Sequence, residues 1–238
     1  MITSEEWNKE VFPHSKIQQL YPNLWIVQGE FPQSRLPRNM VIYRYDQDKL
    51  LLHSVVALEE KTMKELECYG KPTIMVVPNW DHWAHIAAFK KRYPDIIVTC
   101  PKASIEKVEL KLHVDTACED LFPFKGMIFH IVPGIIPYEG VFEFPLGNNR
   151  VAIVMNDLIT NVPHQKGFNG FLLRITKSSG KPNVIPIVRK NLKAKTKTVK
   201  NYLGELAKRK DIDVLTTSHG SSITQGISAV FSNIADAM

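Results

Sequence analysis

Asp81 and His82 stand side by side in the stretch PNWDHWAH (78–85), directly after an apolar run and directly before a helix-like segment. An imidazole nitrogen and a carboxylate oxygen presented from a rigid turn are donors that a hard or borderline divalent metal accepts. Asp157 in VAIVMND (151–157) and His219 in VLTTSHG (214–220) follow apolar runs in the same way, and Gly220 permits a tight turn beside His219. A lone Asp after a strand is usually a turn or cap residue, and a lone His is usually a hydrogen-bonded structural group. Three such points with one local pattern are more informative, because open sheets place ligands at the carboxyl ends of their strands. The chemistry they suggest is the binding of a divalent metal. His85, three residues after His82, is a candidate replacement ligand or acid/base. Its alternative is a helix-start His that faces solvent or packs on Trp80 or Trp83.

Elements must hold those donors in place. Short runs rich in Val, Ile and aromatic residues, bounded by Pro, Gly, Asn or Asp, predict strands at 24–27, 40–44, 50–53, 73–77, 96–99, 127–132, 141–144, 151–155, 171–175 and 214–217. Helices are predicted at 59–69, 84–93, 104–110, 193–210 and 223–235, the last with Ile223, Ile227, Val230, Phe231 and Ile234 on one stripe. Hairpin turns belong at 46–48 and 147–149. The stretch 180–186 is the loosest and would connect a core to a lid-like helix. A block of strands, strand–helix alternation, more strands and renewed alternation suit two sheets packed face to face with helices outside. No repeat, low-complexity linker or composition break divides the 238 residues, so a single α/β domain (1–238) is expected.

A hydrophobic share of 44% and a charged share of 23% are those of a soluble globular protein. No apolar run approaches the length of a membrane span, and the acidic, polar start MITSEEWNKEVF does not read as a secretory leader, so a cytoplasmic protein with no membrane partner is expected. Cys68, Cys100 and Cys118 are odd in number and widely spaced, which predicts mostly buried thiols and neither a disulfide framework nor a thiolate metal site. The net charge of +6 is localised: residues 189–210 hold nine basic residues against Glu205, so the rest of the chain carries about −2. That segment spaces Val199, Tyr202, Leu203 and Leu206 as an amphipathic helix. Its basic side chains, Lys195 and Lys197 among them, form either a solvated face or a rim that attracts an anionic small molecule. Few aromatics are interleaved with them, which argues against nucleic acid. No G-x-S-x-G elbow, Cys100 with an adjacent base, P-loop or dinucleotide loop is present.

The order of these features resembles the metallo-β-lactamase superfamily, and within it an uncharacterised bacterial family. The resemblance runs over about residues 20–222 and is carried by NLWIVQG (23–29), LLLHSVVAL (50–58), PTIMVVPN (72–79), YPD (93–95), NDLITN (156–161) and SHG (218–220). It implies an αββα sandwich, an α/β (α+β) fold with a metal site along one edge. Laid on the family signature H-x-H-x-D-H, then His, Asp and His, this chain places Asp81, His82, Asp157 and His219 on ligand positions. Val77 and Asn79 take the two leading His positions, and Ile135 in VPGII takes the intermediate one. Val and Ile have no lone pair to donate, so the resemblance implies that one of two metal sites is stripped and the other intact.

The expected protein is therefore a hydrolase with one divalent metal, zinc ahead of iron or manganese. A metal-activated water would attack an ester, thioester, lactone or phosphoester of a small anionic substrate. Asp81 or Asp157 would guide the water's proton. His53 falls where many superfamily members carry an Asp, so it is expected either to support the ligands or to be a structural strand-end His, and Asn79 is expected to support the ligands. His164 stands on a loop that could reach the site edge, whereas His14, His113 and His130 have no arrangement that recommends them. The alternative is a member of the fold with a degenerate metal site, holding no metal, that binds a ligand or partner without turnover.

Overall fold

Strands of the larger sheet are apolar on both faces, which is why the sequence reads as continuous apolar runs and not as alternation. Val27, Met40, Ile42, Leu50, Leu52 and Met75 face one core, and Leu24, Val41, Leu51, Ile74 and Val76 on the opposite face are equally buried. A computed structural model describes residues 2–31, 36–135, 139–164, 166–176, 178–184, 190 and 195–238. The chain divides into two compact units, Met1–Lys125 and Gly126–Met238.

The first unit starts with α1 (Ser4–Glu10), closed by a capping box between Thr3 and Glu6, and buries Trp7. The Trp7 indole N–H donates to the Leu58 carbonyl at 2.9 Å. Seven strands then lie side by side in chain order: β1 (Gln18–Tyr21), β2 (Leu24–Gly29), β3 (Arg38–Asp46), β4 (Lys49–His53), β5 (Lys71–Val76), β6 (Ile97–Cys100) and β7 (Thr116–Ala117). Pairing is antiparallel from β1 to β4 and parallel from β4 to β7. Parallel neighbours need crossovers, supplied by α2 (Glu60–Tyr69), α3 (Ile86–Arg92) and α4 (Ile105–Glu109), with the short α5 (Cys118–Leu121) after β7. The carboxyl ends of β4 and β5 therefore share one edge, which carries Ser54 and the turn 77–82.

The second unit holds a four-stranded sheet in the order β13-β10-β9-β8, from β8 (Ile128–Ile131), β9 (Gly140–Gly147), β10 (Arg150–Met155) and β13 (Ile212–Thr216). β8, β9 and β10 pair antiparallel, and β10 pairs parallel with β13. The β9–β10 turn sets Asn148 and Asn149 at φ 51° and 56°, the left-handed pair that a two-residue hairpin demands. A separate ladder joins β11 (Ile159–Thr160) to β12 (Asn183–Val184), and α6 (Gly167–Ile175) lies between them in sequence. α7 (Thr196–Lys208) and α8 (Ile227–Asp236) complete the unit. Its core gathers Val141, Ile153, Met155, Leu158 and Leu215 with Val199, Leu203 and Leu206 of α7 and Phe231 and Ile234 of α8.

Several sequence expectations are corrected. Residues 171–175, expected as a strand, are helical in α6. Five apolar-rich residues are too few for periodicity to separate the two states. Helical pitch puts Phe171 and Ile175 on one exposed face. The C-terminal helix begins at Ile227 rather than 223, because Ile223 exchanges both backbone hydrogen bonds with Leu215 at 2.8 and 2.9 Å. The short elements α1, α5, β1, β7, β11 and β12 were not anticipated. The basic helix is present as α7, with residues 193–194 outside the described set, as are 185–186 of the expected connector. Cys100 and Cys118 are buried thiols, whereas Cys68 is exposed on α2. No helix among the described residues is long and apolar enough to cross a membrane.

Candidate metal centre

Asp157 and His219 are brought together by strand register. β10 and β13 run parallel with Val154 opposite Thr216. Three residues further along each chain, the same offset sets Asp157 opposite His219. The loops keep that alignment: Ser218 N–H donates to the Asn156 carbonyl at 3.0 Å, and the Ser218 hydroxyl donates to Asn156 Oδ1. Asn156 Nδ2 in turn donates to Asp157 Oδ2 at 2.8 Å, while Asp157 Oδ1 stands 3.3 Å from His219 Nε2. One carboxylate oxygen is thus held by an amide and the other faces an imidazole. The pair is partly exposed, at 26% and 16% for the two side chains, so a small ligand can reach it.

His219 is fixed from behind as well. Asn161 N–H donates to its carbonyl at 3.1 Å, and the Thr217 hydroxyl donates to the same oxygen at 2.9 Å. Gly220 sits at φ +96°, and a Cβ there would lie 2.1 Å from the Asn161 carbonyl oxygen. Only glycine lets the backbone pass so close.

Glu139, just before β9, was not anticipated. It is buried, and its carboxylate accepts the Asn156 N–H at 2.7 Å and the Asp157 N–H at 3.1 Å. Burial, and then the Asp157 carboxylate beside it, raise its pKa against the pull of those backbone donors. A glutamate next to an apolar strand reads from sequence as a solvated edge charge, so nothing local marks it.

In the first unit His82 is buried, and its Nδ1 lies 2.8 Å from the Ser54 hydroxyl. Ser54 itself sits at φ 60° after β4, its N–H donating to the Val76 carbonyl at 3.0 Å. A partner on one ring nitrogen is how a ligating histidine is oriented, with the other nitrogen turned to the metal. Asp81 is exposed on the same turn, its N–H donating to Asn79 Oδ1 at 2.9 Å. His53 is buried in β4 between Val41 and Val76. Val77 and Ile135 are buried members of the cores of their respective units.

His85 faces neither solvent nor the two tryptophans. Its Nδ1 accepts the Ala57 N–H at 2.9 Å, and its ring stacks with Phe31 at 4.8 Å and Phe12 at 6.1 Å. Burial, with Arg38 adding to it, lowers its pKa to about 4. The unfolded chain therefore takes up a proton before the folded one as pH falls, and this histidine's contribution to stability is present above about 6.5 and drains away toward about 4. The full swing is on the order of 3 kcal/mol. Thermal melts of His85→Asn, which keeps an acceptor for Ala57 but cannot titrate, are expected to change less between pH 7 and 4.5 than those of the parent. Parallel curves would show that another group governs acid stability.

On α7, Lys195 and Lys197 are exposed and have no ion pair among the described residues. By contrast Arg209, just past the helix, pairs with Glu143 and Asp211, and Lys208 with Glu205. Tyr202 turns inward, its hydroxyl 2.8 Å from His130 Nε2. His164 lies 3.1 Å from the Ser179 hydroxyl, on the β11 side of the small ladder.

No family model matches the sequence, and no curated protein matches it. Solved structures do. The DIM-1 metallo-β-lactamase exposed to ceftazidime superposes with a TM-score of 0.63 at 11% identity, covering 95% of this chain and 98% of that one. The FIM-1 metallo-β-lactamase from Pseudomonas aeruginosa, in its mono-zinc form, gives 0.59 at 13% identity and covers 96% and 97%. A metallo-β-lactamase from Erythrobacter litoralis, with β-mercaptoethanol in its active site, gives 0.58 at 13% identity and covers 93% and 96%. At such identities the likeness is one of fold. The chain has the metallo-β-lactamase fold, of mixed α/β class, as its motif order led one to expect.

Proposed function

We propose that this chain is a metal-dependent hydrolase whose single divalent ion is held by His82, Asp157 and His219, with Asp81 as a further donor. The observation that carries the reading is the Asp157–His219 pair, held 3.3 Å apart by parallel register and braced by Asn156 and Glu139. Imidazole and carboxylate donors fit zinc best, with iron or manganese next. The mono-zinc description of FIM-1 supports one ion as a workable state of the fold. Val77 and Ile135, both buried and without a lone pair, favour one ion over two.

When bound, zinc supplies a water pKa lowered to about 7. The chain's own part is positional. Ser54 orients the His82 ring, Asn156 holds one oxygen of Asp157, and Asn79 steadies the Asp81 backbone. Asp81, exposed beside His82, is the proposed proton acceptor, and His53 supports the ligand turn from β4. His85, whose Nδ1 is committed to Ala57, is a positioning residue that fixes the start of α3. Lys195 and Lys197 would draw a small anionic ester, thioester, lactone or phosphoester toward the site.

Protein purified without a chelating tag is expected to carry about one equivalent of zinc, iron or manganese, and to hydrolyse one of those four bond types in a small-molecule panel. Activity should vanish on chelation and return with the metal. In the same assay, charge reversal at Lys195 and Lys197 should raise KM with kcat and melting temperature nearly unchanged. Stoichiometric metal without turnover would favour ligand binding without catalysis; absence of metal would defeat both the ion and the reaction.

A further inference from the structure

A polar concavity lies wholly within the second unit, with neither Asp157 nor His219 in its lining. It has a volume of about 420 Å³ and is lined by His164, Arg174, Ser179, Gly180, Lys181, Asn183 and Ala237. That volume falls in the range of small-molecule sites. Thr160 of β11 pairs with Asn183 of β12, and Gly180 N–H donates to the Val162 carbonyl at 2.8 Å. His164 is seated by Ser179 at 3.1 Å and lies flat against Gly180, where a Cβ would come within 2.4 Å of the imidazole. Gly180 has φ +96°, so both its conformation and its surroundings demand glycine. Arg174 projects from the last turn of α6 and Lys181 from the turn before β12. Neither side chain has an ion-pair or hydrogen-bond partner among the described residues, and no carboxylate side chain is among the lining residues.

We propose that this concavity binds the phosphate group of a small molecule. Guanidinium, ammonium, hydroxyl, amide and imidazole groups in the lining are all able to donate to it. Two unpaired cations match the charge of a phosphate, which is about −1.5 to −2 near pH 7. A carboxylate would leave one cation uncompensated, and the arginine fork suits a tetrahedral oxyanion presenting two oxygens. The inference is independent of the metal reading, since none of its residues is a proposed metal ligand.

The test uses the full chain at low ionic strength, with titration calorimetry and the His164 ring signals in NMR as two readouts. The probes are inorganic phosphate, glycerol 3-phosphate and acetate. Saturable binding of a phosphate probe is expected, with acetate weaker. Arg174→Gln and Lys181→Gln should each weaken binding about tenfold, with the melting temperature unchanged because both side chains are exposed. Asp157→Ala should bind phosphate as the parent does, which separates this site from any phosphate taken up by the metal. Tighter binding of glycerol 3-phosphate than of inorganic phosphate would mark a phosphorylated metabolite as the ligand, and the reverse would mark the free anion; either supports the site. No saturation below about 20 mM phosphate, equal binding of acetate, or unchanged affinity in both charge variants would overturn it.

Discussion

His219→Ala is expected to lower the metal content of the purified protein from about one equivalent to near zero. The argument is geometric. Parallel pairing of β10 with β13 delivers His219 Nε2 to within 3.3 Å of Asp157 Oδ1, and no other imidazole of the described second unit is placed beside that carboxylate. Removing a group that merely supports a ligand already costs about 10–100-fold in affinity; removing a ligand should cost more than about 100-fold. Asp157→Ala should do the same, and the double variant little more, because a site with one donor gone has lost most of its affinity already. The metal-free melting temperature of His219→Ala should stay close to that of the metal-free parent, since the side chain is part of no core cluster. Elemental analysis of freshly purified protein measures the first quantity and differential scanning calorimetry the second. Full metal retained by both single variants would show that the ion, if present, sits elsewhere.

The sequence already carried the three turns after β5, β10 and β13, because each ends an apolar run with a polar donor and strand ends are local events. It also carried the fold, through the order of motifs too short to mean much singly. What it did not carry was register. Whether Asp157 meets His219 or slides past depends on Val154 pairing with Thr216, a contact across more than sixty residues that no local pattern encodes. Ser54 and Glu139 were invisible for a related reason. A serine is marked as a histidine's partner, and a glutamate as the clamp on a neighbouring loop, only once the chain has folded and dehydrated them. His85 shows the converse: its spacing from His82 suggested chemistry, yet Ala57, Phe12 and Phe31 claim it for the core. The error at 171–175 was one of period, with too few residues to tell a buried strand from a helix that exposes Phe171 and Ile175.

Glycine 220 offers a sharper trial of the site's architecture than any ligand. Gly220→Ala places a methyl group 2.1 Å from the Asn161 carbonyl oxygen and 2.6 Å from the Val162 nitrogen, at a backbone φ of +96°. Backbone atoms held by the Asn161–His219, Ser221–Asn161 and Gly180–Val162 hydrogen bonds cannot swing aside as a side-chain tip would. Gly147→Ala is the matched control: its φ is +93°, but nothing lies within 4 Å of the added carbon. Both variants bear the conformational penalty of about 1–3 kcal/mol, and only the first adds steric overlap. Gly220→Ala is therefore expected to destabilise by about 3 kcal/mol or more, lowering the melting temperature of a chain this size by at least about 6–12 °C. Gly147→Ala should lose only about a third of that. The overlap should also move the His219 carbonyl and ring together, so the surviving folded fraction of Gly220→Ala should bind metal at least about tenfold more weakly, while Gly147→Ala binds as the parent does. Equal melting temperatures for the two variants would mean that the loop after β13 can yield, and that the close passage of Gly220 over Asn161 does not hold His219 in place.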